Sequence, residues 1–406
     1  MKIGDRRASV LSRRYLVGIV LAGLLGSLVP IGNSAEARAC PFCQAEGKTL
    51  TQEISEMDVV VTARLEMAPP PLPADGDLPA EVPKAKFKVV DIIKGADLGV
   101  KEGAAIEAIY FGDPTKGKLF MIRAMSLAGA LQWSTPLALN ERSREFVKKL
   151  PGVAKSGPDR LAFFQEYLED ADAMLARDAY DEFAKAPYSE VIALKPRMHH
   201  DRLVRWISDT KVASYRRRLY FTMLGVCGTK EDVSLLESML RSDSREQRAG
   251  LDALIACYLT LKGEPGVPLI EELYLGNPKC EYQDTYSAIM AMRFHLQDAS
   301  SLPKPRVVES LRLVLNNPNL ADLVIKDLTD QKDWTSMEKL VSLFKNSDDK
   351  TSWVRVPVIN YLRRCPLPEA KVHLKELEKL DPEAVKRANS FFPAPATGTP
   401  DGASKS

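Results

Sequence analysis

Apolar positions change their period once along this chain. Between residues 58 and 123 they come in short β-branched runs, Asp58-Val59-Val60-Val61-Thr62-Ala63-Arg64-Leu65 and Phe87-Lys88-Val89-Val90-Asp91-Ile92-Ile93, followed by 105–110 and 119–123. Runs of this length bounded by polar residues or glycine predict strands. No helical spacing intervenes, so they predict one small antiparallel barrel or sandwich. A short helix is expected just ahead of them, over 50–56.

From Asn140 onward the spacing becomes three and four. Asn140 is placed as the N-cap of a helix reaching Leu150 and stopped by Pro151. Tyr215, Leu219, Met223 and Val226 share one helical face, which Gly228 closes. Thr229 with Asp232 predicts a capping box opening the next helix, and Ser244 with Gln247 predicts another for the helix bearing Leu251, Leu254, Ile255 and Tyr258, which ends at Gly263. First helices of successive pairs end near Gly228, Gly263, Asp298, Asp333 and Cys365, in steps of 35, 35, 35 and 32 residues. Partner helices are expected over 231–240, 267–275, 305–316, 335–346 and 368–379, and a less regular capping unit over 161–168, 173–186 and 203–207. A fixed step of this size predicts an α-solenoid. One pair cannot bury its apolar face alone, so stacking makes the core continuous and leaves an extended surface for a protein or peptide partner.

Ahead of both regions, Arg6, Arg7, Arg13 and Arg14 precede an apolar run over 15–31, and A-x-A cleavage sites follow Ala37 or Ala39. Residues 1–39 therefore read as a secretory signal, which makes the mature protein periplasmic or secreted. Ser12-Arg13-Arg14-Tyr15-Leu16 matches part of a twin-arginine signal. The alternative is retention of 15–31 as a membrane anchor, its length lying near the lower limit of about 17 residues for a spanning helix. A lipidated Cys40 is disfavoured, because Arg38 stands where a lipobox needs a small residue.

Charge narrows the partners. The formal net charge is +2, and residues 1–39 hold six Lys/Arg against two Asp/Glu, leaving about −2 on residues 40–406. A chain so balanced has no electrostatic footprint for nucleic acid. The run Arg216-Arg217-Arg218 is expected to be a solvated helix face.

Of the six cysteines only Cys40 and Cys43 have motif spacing; Cys227, Cys257, Cys280 and Cys365 read as small buried hydrophobes, with a Cys227–Cys257 bridge left open. Cys40-Pro41-Phe42-Cys43 is the candidate redox or disulfide site. A thioredoxin-like motif uses a helix N-terminus to lower a thiol pKa, but needs a strand before the cysteines. Haem attachment needs His where Gln44 stands, and a zinc knuckle needs a second ligand pair. A local disulfide is the leading reading, and a thiol-disulfide oxidoreductase the alternative.

The order of cysteine motif, helix, Val-Val-Val strand and Phe87-Lys88-Val89-Val90-Asp91-Ile92-Ile93-Lys94-Gly95 resembles the netrin-like OB barrel of the tissue inhibitors of metalloproteinases, over about residues 40–125. That resemblance implies a protease inhibitor whose N-terminal cysteine, Cys40 if cleavage follows Ala39, chelates the target's zinc. This chain departs from it in having C-x-x-C for C-x-C, and no cysteine over 44–150 to lock the N-terminus. The helix pairs over 157–380 resemble HEAT-like repeats. The whole arrangement is similar to a family of exported bacterial proteins that brings no function with it. The expected fold is α+β: a signal over 1–39, an OB-like barrel over 40–135 with a C-x-x-C tip and a Pro-rich insertion at 68–83, a connecting helix and linker over 136–156, a HEAT-like solenoid over 157–390 and a disordered tail over 391–406.

Catalytic motifs are missing. Gly112-Asp113-Pro114-Thr115-Lys116-Gly117-Lys118 fits G-x-x-x-x-G-K, but Leu119 replaces the hydroxyl residue and a strand follows where a helix is required, so a turn is expected. His199, His200, His295 and His373 form no H-E-x-x-H, and neither G-x-S-x-G nor G-x-G-x-x-G occurs. Glu166, Glu169, Asp170, Asp178, Asp181 and Glu182 are expected on solvated helix faces. The sequence thus points to a non-enzymatic binding or scaffold protein with no catalytic, cofactor or metal site, touching a membrane only if its first segment is uncleaved.

Overall fold

The Val59-Val60-Val61 run opens a strand buried on both faces. In the computed structural model, which describes residues 40–69, 82–299 and 301–391, β1 (Val59–Met67) pairs antiparallel with β2 (Lys84–Lys94) on one side and β4 (Leu119–Leu127) on the other. β3 (Ala105–Ile109) lies outside β2, while β5 (Ala130–Trp133) and β6 (Leu137–Leu139) both pair with β4, giving the order β3-β2-β1-β4-β5. The sheet curls until β3 and β5 approach each other, which makes a nearly closed antiparallel barrel. Val59, Val61, Ala63 and Leu65 point into it, around the mutually edge-on rings of Phe87, Tyr110 and Phe120. Val60 and Met121 point outward and belong to the helical core. Alternation thus serves two interiors at once, which is why β1 reads as uninterrupted hydrophobe.

The helices begin with α1 (Leu50–Glu56), set before β1 with Thr49 and Gln52 forming its capping box. After the barrel come α2 (Glu141–Lys149), capped by Asn140, then α3 (Pro158–Gln165), α4 (Ala173–Lys185), α5 (Tyr188–Ala193) and α6 (His200–Ser208). The repeats follow as pairs: α7 (Ser214–Cys227) with α8 (Val233–Leu240), α9 (Leu251–Lys262) with α10 (Val267–Ile270), and α11 (Tyr282–Gln297) with α12 (Lys304–Arg312). α10 runs on through a π turn to Leu275. The last pairs are α13 (Asp322–Asp330) with α14 (Met337–Asn346) and α15 (Arg355–Arg364) with α16 (Pro368–Leu380), closed by α17 (Pro382–Phe391). The first helices stack on one another in one layer. The expected α+β architecture, a barrel followed by a helical array, is therefore present.

The repeat step reappears as side-chain chemistry. Ion pairs join Arg218 to Asp252 and Arg293 to Asp327 at a separation of 34, Arg306 to Glu271 at 35, and Arg248 to Asp284 and Arg245 to Glu281 at 36. Equivalent positions of neighbouring repeats are bound to each other, which fixes their rotation as well as their stacking.

Three local expectations change. Gln247 N–H does donate to Ser244 Oγ at 3.3 Å, but the bond closes a turn; the helix starts only at Leu251, after Gly250 at φ +84°. Arg216, Arg217 and Arg218 are not a solvated face: they reach Glu169, the Glu246 and Gln247 carbonyls, and Asp252 respectively. β5 adds a strand that was not expected within the barrel, and β6 extends the sheet past Trp133, where the chain was expected to leave it. The expected signal over 1–39 with its anchor segment, positions 70–81 of the Pro-rich insertion and positions 392–406 of the tail lie outside the described residues. No helix among the described residues is long and apolar enough to cross a membrane.

Candidate functional site

The Cys40-Pro41-Phe42-Cys43 turn does not project from the barrel but lies against the helical array. Cys43 N–H donates to the Cys40 carbonyl at 3.2 Å, and the two sulfurs are bonded across a Cα separation of 5.2 Å. Cys40 is 3% exposed and belongs to the helical core. Phe42, at the apex, tilts onto Phe294 of α11 at 5.2 Å between centroids, and Phe294 meets Tyr188 of α5 at 5.6 Å. The seat is completed by Phe221 and Gly225 of α7 and by Ala256 and Cys257 of α9, and the void left in it is only about 10 Å³. That is the lower limit for a single water.

Downstream, residues 44–49 run along α4 without helix or strand pairing and lead into the first turn of α1, and their main chain is met by side chains. The Tyr180 hydroxyl accepts from Gln44 N–H at 3.3 Å and lies 3.4 Å from the Gln44 carbonyl. Asp181 accepts from Glu46 N–H at 3.1 Å and Asp178 from Leu50 N–H at 2.6 Å. Lys185 donates to the Gly47 carbonyl, Thr51 to Glu182, and Arg160 pairs with Glu182 from the other side. Asp178, Asp181 and Glu182 are therefore buried acceptors for the entering chain, where the sequence suggested solvated carboxylates. Backbone donors without strand partners need such acceptors once buried.

Electrostatics set Asp178 apart. Burial pushes its carboxyl up to about 7, against the Leu50 N–H bond that lowers it, and its Oδ2 has no hydrogen-bond partner among the described residues. Burial likewise drives the Cys257 thiol well above its ordinary value. It also lowers His295, next to Phe294, to about 4, and the His295 ring lies 2.9 Å from the Ser301 hydroxyl.

The other residues singled out in the sequence go elsewhere. Cys227, Cys257, Cys280 and Cys365 are free thiols, so no Cys227–Cys257 bridge forms. His199 meets Glu166, His200 meets Asp232 and Asp201, and His373 meets Glu338. Glu166 is exposed as expected while pairing with Arg202, whereas Glu169 and Asp170 are partly buried and paired with Arg216 and Arg142. Glu166, Glu169, Asp170, Arg142 and Arg202 border, with Trp206, a polar cleft of about 510 Å³ whose charges largely cancel. Gly112 to Lys118 forms the expected turn between β3 and β4, tied by Asp113 to Thr115 and Lys118. Among the described residues no group of three or more His, Cys, Asp or Glu is arranged to hold a metal ion.

Sequence reasoning found Cys40 and Cys43 but missed their seat. Its walls come from α5, α7, α9 and α11, more than a hundred residues away. The available signal was Thr49 with Gln52, which announces an ordered helix start directly behind the cysteine turn. Compared with known proteins, the chain matches no family model, no curated protein and no solved structure.

Proposed function

We propose that this is an exported, non-enzymatic binding protein whose helical array takes an extended peptide carrying an aromatic anchor. One observation carries the reading: the array already holds such a segment, its own residues 40–49, with Phe42 in an apolar seat and main-chain groups met by Tyr180, Asp181 and Lys185, before Asp178 accepts from the first amide of α1. Side-chain acceptors for backbone N–H groups bind a strand-like segment with little regard to its sequence, while the aromatic seat selects one position. The oxidoreductase and protease-inhibitor alternatives both require Cys40 to be presented to a second protein, and Cys40 is 3% exposed.

The test uses the full chain with Phe42→Ala, which empties the seat. A fluorescein-labelled peptide with the sequence of residues 40–53, oxidised between its cysteines, is titrated by anisotropy. Saturable binding to the variant, with weaker binding to the parent chain and to the same peptide bearing Ala for Phe42, is the expected result. Equal, non-saturating signals from all combinations overturn the proposal.

A further inference from the structure

The turn, its seat and the thiol beneath it form one unit. Cys40 and Cys43 bracket the residue that enters the groove, so the bond between them closes a four-residue loop with Phe42 held at its apex. Prior ordering of that loop is what lets a single ring hold a site, because a free tetrapeptide must surrender its conformational freedom each time it docks. Beyond the turn, residues 44–49 are held mainly by hydroxyl, carboxylate and ammonium contacts that water can replace, with Ala45 the one partly buried hydrophobe before Leu50 opens α1. The aromatic anchor of the segment, ahead of Leu50 and Ile54 in α1, therefore depends on the turn.

We propose that the Cys40–Cys43 bond is a redox latch that keeps the groove closed by its own occupant, a reading that rests on the groove being a peptide site only for what enters once it opens. In the opening step a small dithiol reductant attacks at Cys43, which is only partly buried where Cys40 is covered, and supplies two electrons and two protons. The sulfur–sulfur bond becomes two thiols, and the dithiol becomes a disulfide. The turn then loses its order, Phe42 leaves Phe294, and the wall formed by Phe221, Gly225, Ala256 and Cys257 becomes accessible. Oxidation returns the chain to the closed state.

Cys257 is a built-in reporter, since it is free, fully buried and part of that wall. Cys365, free and buried at the end of α15, reports on the remainder of the array. Full-length protein is pulsed with iodoacetamide in its oxidised form, after reduction with dithiothreitol, and as Cys40→Ser/Cys43→Ser, and each cysteine is followed by peptide mass mapping. The latch predicts that Cys257 reacts at least about tenfold faster in the last two samples, a shift of about 1.4 kcal/mol in the opening equilibrium, while Cys365 stays protected. Phe42→Ala with the bond intact is expected to expose Cys257 as well. Two results overturn the latch: an unchanged Cys257 rate after reduction, and a rise in Cys257 and Cys365 together. A faster Cys257 with no peptide binding to the opened chain leaves the latch standing and removes the peptide reading instead.

Discussion

The guanidinium of Arg217, on α7, donates to the Gln247 carbonyl at 2.7 Å and also to the neighbouring Glu246 carbonyl. Residues 244–250 form a turn where a helix was expected, and this buried cation meets the Glu246 and Gln247 carbonyls within it, while the Ser244 and Gly250 carbonyls keep backbone N–H donors. Arg217→Met removes the donors, which leaves the Gln247 carbonyl uncompensated and the Glu246 carbonyl with only the Ala249 N–H at 3.3 Å. It should destabilise the chain by about 3 kcal/mol, and Arg217→Lys should recover less than half, since an ammonium does not reproduce the fork. Urea denaturation measures both.

Asp178 makes stability depend on pH in an unusual direction. Its folded pKa, raised by burial to about 7, exceeds the ordinary aspartate value, so between about pH 4 and 7 the folded chain binds more protons than the unfolded one. Its contribution is present in full below about pH 4 and is lost as pH rises through 7, with a slope of at most about 1.4 kcal/mol per pH unit. His295, lowered by burial to about 4, acts oppositely, and its contribution is lost as pH falls from about 6.5 towards 4. Asp178→Asn keeps an acceptor for Leu50 N–H and removes the charge. Thermal melts of this variant should show less loss of Tm between pH 6 and 8 than the parent and a steeper loss below pH 6.

Gly95 ends β2 at φ +81°, and a Cβ there would stand 2.4 Å from the Asp58 carbonyl oxygen. Both the left-handed backbone and the close approach exclude a side chain. Gly95→Ala should cost about 2 kcal/mol or more, whereas Gly99→Ala, also left-handed but with open space around it, should cost about 1 kcal/mol. Denaturant midpoints of the two variants separate the steric part from the backbone part.

The inter-repeat ion pairs should not be equal. Arg293 and Asp327 have side chains 25% and 11% exposed, against 66% and 62% for Arg245 and Glu281. Double-mutant cycles should give a coupling of about 1–2 kcal/mol for the first and less than about 0.5 kcal/mol for the second. Raising NaCl to about 1 M should erase only the second.

The helix pairs were legible because apolar residues at three and four, closed by Gly228 and Gly263, carry their information locally. The barrel was legible through Val59-Val60-Val61 and Phe87 to Ile93 for the same reason. The short β5 and β6 strands carry too few residues to show a period. The seat was beyond reach on different grounds: Leu50 and Asp178 lie 128 residues apart, and Gln44 and Tyr180 136 apart. Nothing in a local pattern distinguishes a carboxylate that faces water from one that awaits a distant amide. Asp178, Asp181 and Glu182 read as surface for that reason, as did Arg217.

Val60 and Val61 are adjacent in sequence yet shielded from water by different halves of the molecule. If either half melted, a fully apolar stretch of β1 would be left wet, so the penalty for partial unfolding falls on whichever half remains. Barrel and array should consequently melt together, with tryptophan emission and far-ultraviolet dichroism tracing a single superimposable curve. A molecule that divides by eye into two parts is, thermodynamically, indivisible at that strand.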